Sequence, residues 1–218
     1  MAGIPLTSLS LTHVQFHPQD LLGELLAYIT LAPLAILVFY ASVIVARREV
    51  SGILFLAGQL SCEALNALLK EYLQVSRPND HLGTGYGMPS SHSQFMAFFA
   101  LQVVLYTHFN IRLDHPHIKW LLYLPTLALA ALVMYSRVHL GYHSIEQVLV
   151  GCGIGMMYSV IWFSFAEYVR QLGLINWIIN LPLCQSIYLR DSRSIDNVAK
   201  WEYEAWKENA LGAKKKHL

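Results

Sequence analysis

Three short segments of this 218-residue chain carry residue types suited to one chemistry. Lys70 is followed after six residues by Arg77 and Pro78, Pro89-Ser90-Ser91-His92 comes next, and Ser136-Arg137 is followed after five residues by His143. Singly, each has a plain reading: a Lys or Arg at the end of an apolar stretch anchors it at an interface, and a lone histidine is usually a hydrogen-bonded structural residue. Together they supply three permanent cations and two imidazoles, the set that a phosphate site needs. Phosphoryl transfer spreads charge over three equatorial oxygens and is catalysed mainly by positioning and electrostatic stabilisation. Arg offers a planar fork of donors matched to phosphate oxygens, and Lys a point charge. Ser90 and Ser91 precede an apolar stretch, where hydroxyls and the free N–H groups of a helix N-terminus would face an anion; the same serines are also suited to capping that helix. Few acidic residues lie near these segments, namely Glu71, Asp80 and Glu146, so Mg²⁺ or Zn²⁺ is poorly served, and three cations stand in a metal's place. No metal or other cofactor is expected. A nucleophile must then come from the chain, and of its ten histidines only His92 and His143 adjoin the basic residues. His81 and His139 are the next candidates for substrate contact.

The elements that hold these segments are apolar. Hydrophobic residues make up 55% of the chain and charged residues 13%, with a mean hydropathy of +0.41, which points to a membrane protein. A net charge of +1 leaves no excess that would suit a nucleic acid, so no nucleic-acid partner is expected. Leu21 to Ala46 is long enough to span about 30 Å of hydrocarbon. Val50 to Leu69, Phe95 to Phe109, Trp120 to Tyr135 and Val148 to Phe165 follow; the third and fourth stretches reach full length only by absorbing adjoining polar residues, which puts those residues at a membrane surface. The expected fold is all-α, a polytopic transmembrane helical bundle with about five spans, its active site at one surface. Cys62, Cys152 and Cys184 lie in apolar stretches without metal-ligand spacing and read as packing residues. The first twenty residues lack a basic n-region and a cleavage site, so the first span serves as the insertion signal.

Five crossings divide the basic residues unequally. Twelve of the fifteen fall on one side: Arg47 and Arg48, Arg112 and Lys119, and the eight from Arg170 to Lys216. Lys and Arg accumulate on the cytosolic side, so Lys70, Arg77 and Arg137 stand alone on the other, where a function must account for them. Leu174 to Leu189 is either a sixth crossing or a surface segment; the surface is favoured, because a sixth span would carry seven of the tail's basic residues across. The expected organisation is a lumenal segment over 1–20, a transmembrane phosphatase domain over 21–170 and a cytosolic, partly interfacial tail over 171–218. Lys215-Lys216-His217-Leu218 resembles the dilysine retrieval signal of endoplasmic reticulum membrane proteins, which cytosolic coat machinery reads.

In order and spacing, the three segments resemble the signature of the type 2 phosphatidic acid phosphatase superfamily: Lys-x6-Arg-Pro, Pro-Ser-Gly-His and Ser-Arg-x5-His-x3-Asp. Ser91 stands where that signature usually has Gly, and Gln147 where it usually has Asp. Both departures, with Tyr86-Gly87-Met88-Pro89, Ser93-Gln94-Phe95, Tyr135-Ser136-Arg137-Val138 and Leu11-Thr12-His13-Val14, resemble its dolichyl diphosphate phosphatase branch. The resemblance implies hydrolysis of dolichyl diphosphate within the bilayer, at the lumenal face of the endoplasmic reticulum. It implies His143 as nucleophile, His92 as the acid and later the base, and Lys70, Arg77, Ser90, Ser91 and Arg137 as phosphate ligands. Gln147, one helical turn after His143, would orient the imidazole through its amide oxygen without neutralising it, unless it simply lines the helix end. The superfamily motifs also fit a phosphatase for phosphatidate or a sphingoid base phosphate. A catalytically silent scaffold would have no use for three such cations.

Overall fold

A computed structural model of the protein describes residues 7–9, 14–79, 82 and 85–216. Leu11 to His13, Asp80, His81 and the side chains of the C-terminal lysine motif lie outside this description.

The first span is kinked. Leu21–Ile29 (α1) is followed by Ala32–Arg47 (α2), with the break at Thr30 and Leu31 and Pro33 in the first turn of α2. Proline lacks an N–H and is best accommodated in a first turn, and here the helix restarts at Ala32, with Pro33 next, rather than running through. Asp20 caps α1 by accepting from the Gly23 N–H at 2.8 Å. Val50–Leu73 (α3), Ser91–Asn110 (α4), Trp120–His139 (α5) and Ile145–Gln171 (α6) complete the bundle. Each extends past its apolar stretch into polar sequence: α3 carries Lys70 in its last turn, α4 opens on Ser91 and His92, α5 ends with Arg137 in its last turn, and α6 begins just after His143.

Four helical stretches, Leu21–Arg47, Val50–Leu73, Pro116–His139 and Ile145–Gln171, are long and apolar enough to cross a membrane. The fifth helix, α4, is more polar because it is the central one, enclosed by α2, α3, α5 and α6. Gln94, Gln102, Thr107 and Asn110 are buried on it, a pattern that lipid contact would forbid. The two glutamines find partners inside: Gln94 Nε2 donates to the Cys62 carbonyl at 2.8 Å, and Gln102 Oε1 accepts from Ser159 at 3.1 Å. The three cysteines are unpaired. Helix α6 packs on α4 at backbone range because position 155 is glycine; a Cβ there would fall 2.3 Å from the Gln94 carbonyl oxygen. Outward-facing side chains such as Val45, Leu121 and Leu149 are 74%, 76% and 64% exposed, a surface suited to lipid rather than water.

The bundle has two distinct ends. At one, Thr7–Leu9 (β1) pairs antiparallel with Val14–Phe16 (β2), a hairpin not anticipated from sequence, and Val14 packs on Leu82, Leu140 and Tyr142. At the other, the basic segments gather. After α6 the chain forms two short helices, Leu174–Ile179 (α7) and Pro182–Ser186 (α8), neither long enough to cross a bilayer, and a final helix, Val198–Lys216 (α9). Between α8 and α9 the tail is stitched to the bundle. Arg190 exchanges backbone hydrogen bonds with Arg48 and Val50 at 2.9 and 3.0 Å, Arg112 N–H donates to the Asp196 carbonyl at 3.0 Å, and Arg170 pairs with Asp191 at 3.1 Å.

Candidate active site

Four helix ends meet beneath the hairpin: the C-termini of α3 and α5 and the N-termini of α4 and α6. The Arg-x5-His spacing has a local cause. Leu140 closes α5, Gly141 turns the chain at φ 75°, and the N–H groups of both Tyr142 and His143 return to the Arg137 carbonyl at 3.1 Å. Only glycine fits this turn, since a Cβ would also meet Asn79 Nδ2 at 2.7 Å, and that amide donates to the Gly141 carbonyl at 2.9 Å. His143 is thereby folded back beside Arg137.

Ser144 then caps α6 in a reciprocal capping box with Gln147. The Gln147 amide is held at both ends. Its Nε2 donates to the Ser76 carbonyl at 2.7 Å, and its Oε1 accepts from the Ser144 N–H at 3.2 Å. The same oxygen lies 3.2 Å from His143 Nδ1. An amide oxygen only accepts, so Nδ1 carries the imidazole proton and Nε2 keeps its lone pair. That Nε2 is buried and has no hydrogen-bond partner among the described residues, and His143 is 2% exposed. Burial first, then the charges of Arg137 and Arg77, lowers the His143 pKa to about 3, while the Gln147 bond acts in the opposite direction. The imidazole is therefore neutral near pH 7, with an available lone pair beside a cluster of cations.

Arg137, 4% exposed, is clamped from two sides: Nη1 donates to Thr30 Oγ1 at 2.9 Å, and the guanidinium lies over the Tyr142 ring, 4.0 Å from its centroid. Tyr142 is held in turn by its hydroxyl, which accepts from the Gln15 N–H at 2.8 Å. Arg137 Nε has no partner among the described residues. Lys70 reaches Ser91 Oγ at 3.5 Å. Arg77 donates to the carbonyls of Gly85 and Leu82 at 3.3 and 3.4 Å, bracing the loop between α3 and α4. Ser90 and Ser91 divide their duties. Ser90 is fully buried, makes no side-chain cap, accepts from Ser93 Oγ at 3.0 Å, and its N–H donates to the Gln147 carbonyl at 3.1 Å. It ties α4 to α6, whereas the half-buried Ser91 stands beside Lys70. His92 and Ser91 open onto a cleft of about 240 Å³ between α2, α3 and α4, walled by Leu37, Leu60 and Glu63. His139 is turned elsewhere: its Nε2 lies 2.7 Å from Asp20, so it ties α5 to the cap of α1.

Several supporting residues went unread in the sequence. Thr30 had a signal in Pro33 three residues on, which marks the break that presents it. Asn79 and Ser76 had none, because their partners are distant in the chain, nor did the Tyr142 hydroxyl, whose partner is Gln15. The arrangement can surround a tetrahedral anion with cations and N–H donors and bring an imidazole lone pair to it, which is the equipment of in-line phosphoryl transfer. Among the described residues, no three His, Cys, Asp or Glu side chains form a group that would hold a metal ion.

A family model described as the PAP2 superfamily matches residues 51–171, the region that holds Lys70, Arg77, Ser90, Ser91, His92, Arg137, His143 and Gln147. The chain belongs to the PAP2 superfamily. Among its PAP2 relatives, a putative dolichyldiphosphatase of Neurospora crassa is 33% identical over 264 residues, covering 95% of this chain and 94% of that one. Dolichyldiphosphatase 1 of Dictyostelium discoideum is 39% identical over 202 residues, covering 91% of this chain and 88% of its own length. The fold resembles the crystal structure of a transmembrane PAP2-type phosphatidylglycerolphosphate phosphatase from Bacillus subtilis, with a TM-score of 0.58 and 26% identity over 69% of this chain and 79% of that one. PAP2 membership makes the protein a phosphatase-family enzyme of multi-pass membrane architecture.

Proposed function

We propose that the protein hydrolyses dolichyl diphosphate to dolichyl phosphate and inorganic phosphate through a phosphohistidine. The observation that carries this reading is the unpartnered Nε2 of His143, oriented by Gln147 and flanked by Arg137. Nε2 attacks the terminal phosphorus, the bond from that phosphorus to the bridging oxygen breaks, and dolichyl phosphate leaves, with His92 donating a proton to it. His92 then takes a proton from water, the water attacks the phosphohistidine, and inorganic phosphate departs with His143 restored. Lys70, Arg77, Arg137 and Ser91 hold the phosphate oxygens, and Ser90 secures the α4 N-terminus whose N–H groups face them. The cleft beside His92 gives the polyprenyl end a way out to the bilayer. The names of the relatives support dolichyl diphosphate as substrate.

The same reading puts the protein in the endoplasmic reticulum membrane, with the site lumenal and the C-terminus cytosolic, where coat machinery would read the terminal lysines. Its role there is to return the carrier lipid of protein N-glycosylation to use. The test is to trap acid-labile phosphoryl label on purified wild type and on His143→Ala, assayed with dolichyl diphosphate and phosphatidate. Label and turnover should vanish together in the variant, and dolichyl diphosphate should be the better substrate. Undiminished hydrolysis by folded His143→Ala protein would refute the mechanism, and a preference for phosphatidate would refute the substrate. A glycosylation acceptor inserted between Asp80 and Tyr86 should be modified, and one in the Asn110 to His117 connection should not.

A further inference from the structure

A second cavity lies at the end of the bundle opposite the catalytic site. Helix α1 packs against α5, but beyond the kink α2 packs on α3 and α4 instead, and a wedge of about 460 Å³ opens between α2 and α5. Phe55 of α3 and Phe99 and Val103 of α4 form its apolar floor. The wedge runs into a chamber of about 500 Å³ beneath the tail, with which it shares six lining residues, Arg47 and Tyr106 among them. Each is in the range of ligand sites, and joined they are amphipathic, apolar between the spans and polar under the tail.

Three buried polar atoms around this cavity lack partners. Tyr40, 4% exposed, lines the wedge, and its hydroxyl has no partner among the described residues. Asn110, 7% exposed, lines the chamber; its Nδ2 donates to Glu167 at 2.9 Å, but its Oδ1 accepts from no described residue. The Nε atom of Arg193, also at the chamber, is buried and unmatched, although the side chain is 33% exposed and its Nη2 pairs with Glu167 at 3.2 Å. Buried polar atoms are normally paired, so three unmatched ones around one cavity point to a ligand with polar groups of its own. The charges lining the chamber balance, with Arg47, Lys119 and Arg193 set against Glu49, Asp196 and Glu202, and most are paired within the chain: Arg47 with Glu202, Glu49 with Arg190, Asp196 with Arg112 and Arg193 with Glu167.

We infer that this cavity binds one zwitterionic phospholipid from the leaflet opposite the catalytic site, its hydrocarbon in the wedge and its phosphate and ammonium groups in the chamber. A purely hydrocarbon prenyl end would leave Asn110 Oδ1 and Arg193 Nε unmatched. The balanced charge disfavours an anionic headgroup, while Arg193 Nε and the Lys119 ammonium suit a phosphate and the unmatched Asn110 Oδ1 suits an ammonium.

The full chain, purified in mild detergent from an equimolar mixture of phosphatidylethanolamine and phosphatidylglycerol, should retain about one phosphatidylethanolamine per chain through washing. Val43→Trp from the α2 wall and Thr126→Trp from the α5 wall should each cut retention at least tenfold while leaving phosphatase activity unchanged. Substoichiometric retention by wild type, enrichment of phosphatidylglycerol or of a polyprenyl lipid, or full retention by both variants overturns the assignment. A measurement on wild type alone guards against misfolding of the variants. Phosphatidylethanolamine with a diazirine in its chain should label Phe99 and Val103 on the floor of the wedge. Label confined to outer-face residues such as Leu121 and Leu149 overturns it equally.

Discussion

A Cβ on Gly151 would lie 2.6 Å from the carbonyl oxygen of Ser90, which makes this glycine the point at which α6 and α4 fix the separation of their N-termini. His143 precedes one helix and His92 opens the other, so the closeness of these two backbones sets the distance between the proposed nucleophile and the proposed acid. Gly151→Ala must push backbone against backbone, and overpacking of this kind costs about 1–3 kcal/mol. Turnover should fall at least tenfold although no polar side chain has changed. Gly153→Ala is the control, because its Cβ would meet nothing within 4 Å. Equal activity in the two variants would show that the α4–α6 separation does not limit the chemistry.

The glycine pair is also a measure of what the sequence discloses. The three polar segments, their order and the apolar stretches between them were readable because chemistry and lipid contact each impose a local pattern. Gly151 and Gly155 stand in plain view in α6, yet their meaning depends on which helix lies opposite. The polarity of α4 is similar: its Gln and Asn residues read as a weak span, and only enclosure by four helices explains them. The first span read as continuous because hydropathy averages over Pro33, and Thr30 gained its role through a partner 107 residues away, Arg137. Gln147 was legible by its spacing from His143, but its capping box and its bond to Ser76 depend on three-dimensional closure.

Thr30 supplies the next expectation. Thr30 is fully buried, and Arg137 Nη1 has its hydroxyl as acceptor. Leaving a buried charged donor unmatched costs about 1–3 kcal/mol. Thr30→Val should therefore lower kcat/KM on the order of tenfold, and Thr30→Ser should keep most of it. If valine and serine behave alike, Arg137 is positioned by Tyr142 alone.

The depressed pKa of His143 gives a pH dependence of definite sign. In the unfolded chain the imidazole titrates near 6.5, whereas in the phosphate-free fold it is held at about 3. The unfolded state takes up the proton first, so the stability tied to neutral His143 is complete above about 6.5 and is lost as pH falls toward about 3. Wild type should lose more thermal stability across that window than His143→Gln, whose side chain does not titrate. Nitrogen NMR should find an unprotonated Nε2 in the free protein at pH 5. A protonation midpoint between 6 and 7 there would contradict the buried, cation-flanked environment.

The last expectation concerns the leaving group and rests on the proposed substrate. Breaking a diphosphate expels a phosphate monoester with a second pKa of about 6, whereas breaking a monoester expels an alcohol, a far stronger base. The first reaction asks little of a general acid and the second asks much, so His92→Ala should damage hydrolysis of dolichyl phosphate more than that of dolichyl diphosphate. Gln147 bears on the same balance from the other imidazole, because a neutral amide orients His143 without stabilising positive charge on it. Gln147→Asp introduces a carboxylate but is one methylene shorter than the side chain that bridges His143 and Ser76. Gln147→Glu keeps the length, though its carboxylate faces the Ser76 carbonyl that now accepts from Nε2 at 2.7 Å, so some stability should be lost. In either variant the added negative charge should raise the His143 pKa from about 3 and increase the monoester-to-diphosphate ratio of kcat/KM. Wild type and the three variants should be assayed side by side on both lipids, with nitrogen NMR reporting the imidazole. A ratio that falls in both carboxylate variants while the His143 pKa rises would separate the orienting residue from substrate choice, and discrimination would then have to be sought in the cleft beside His92.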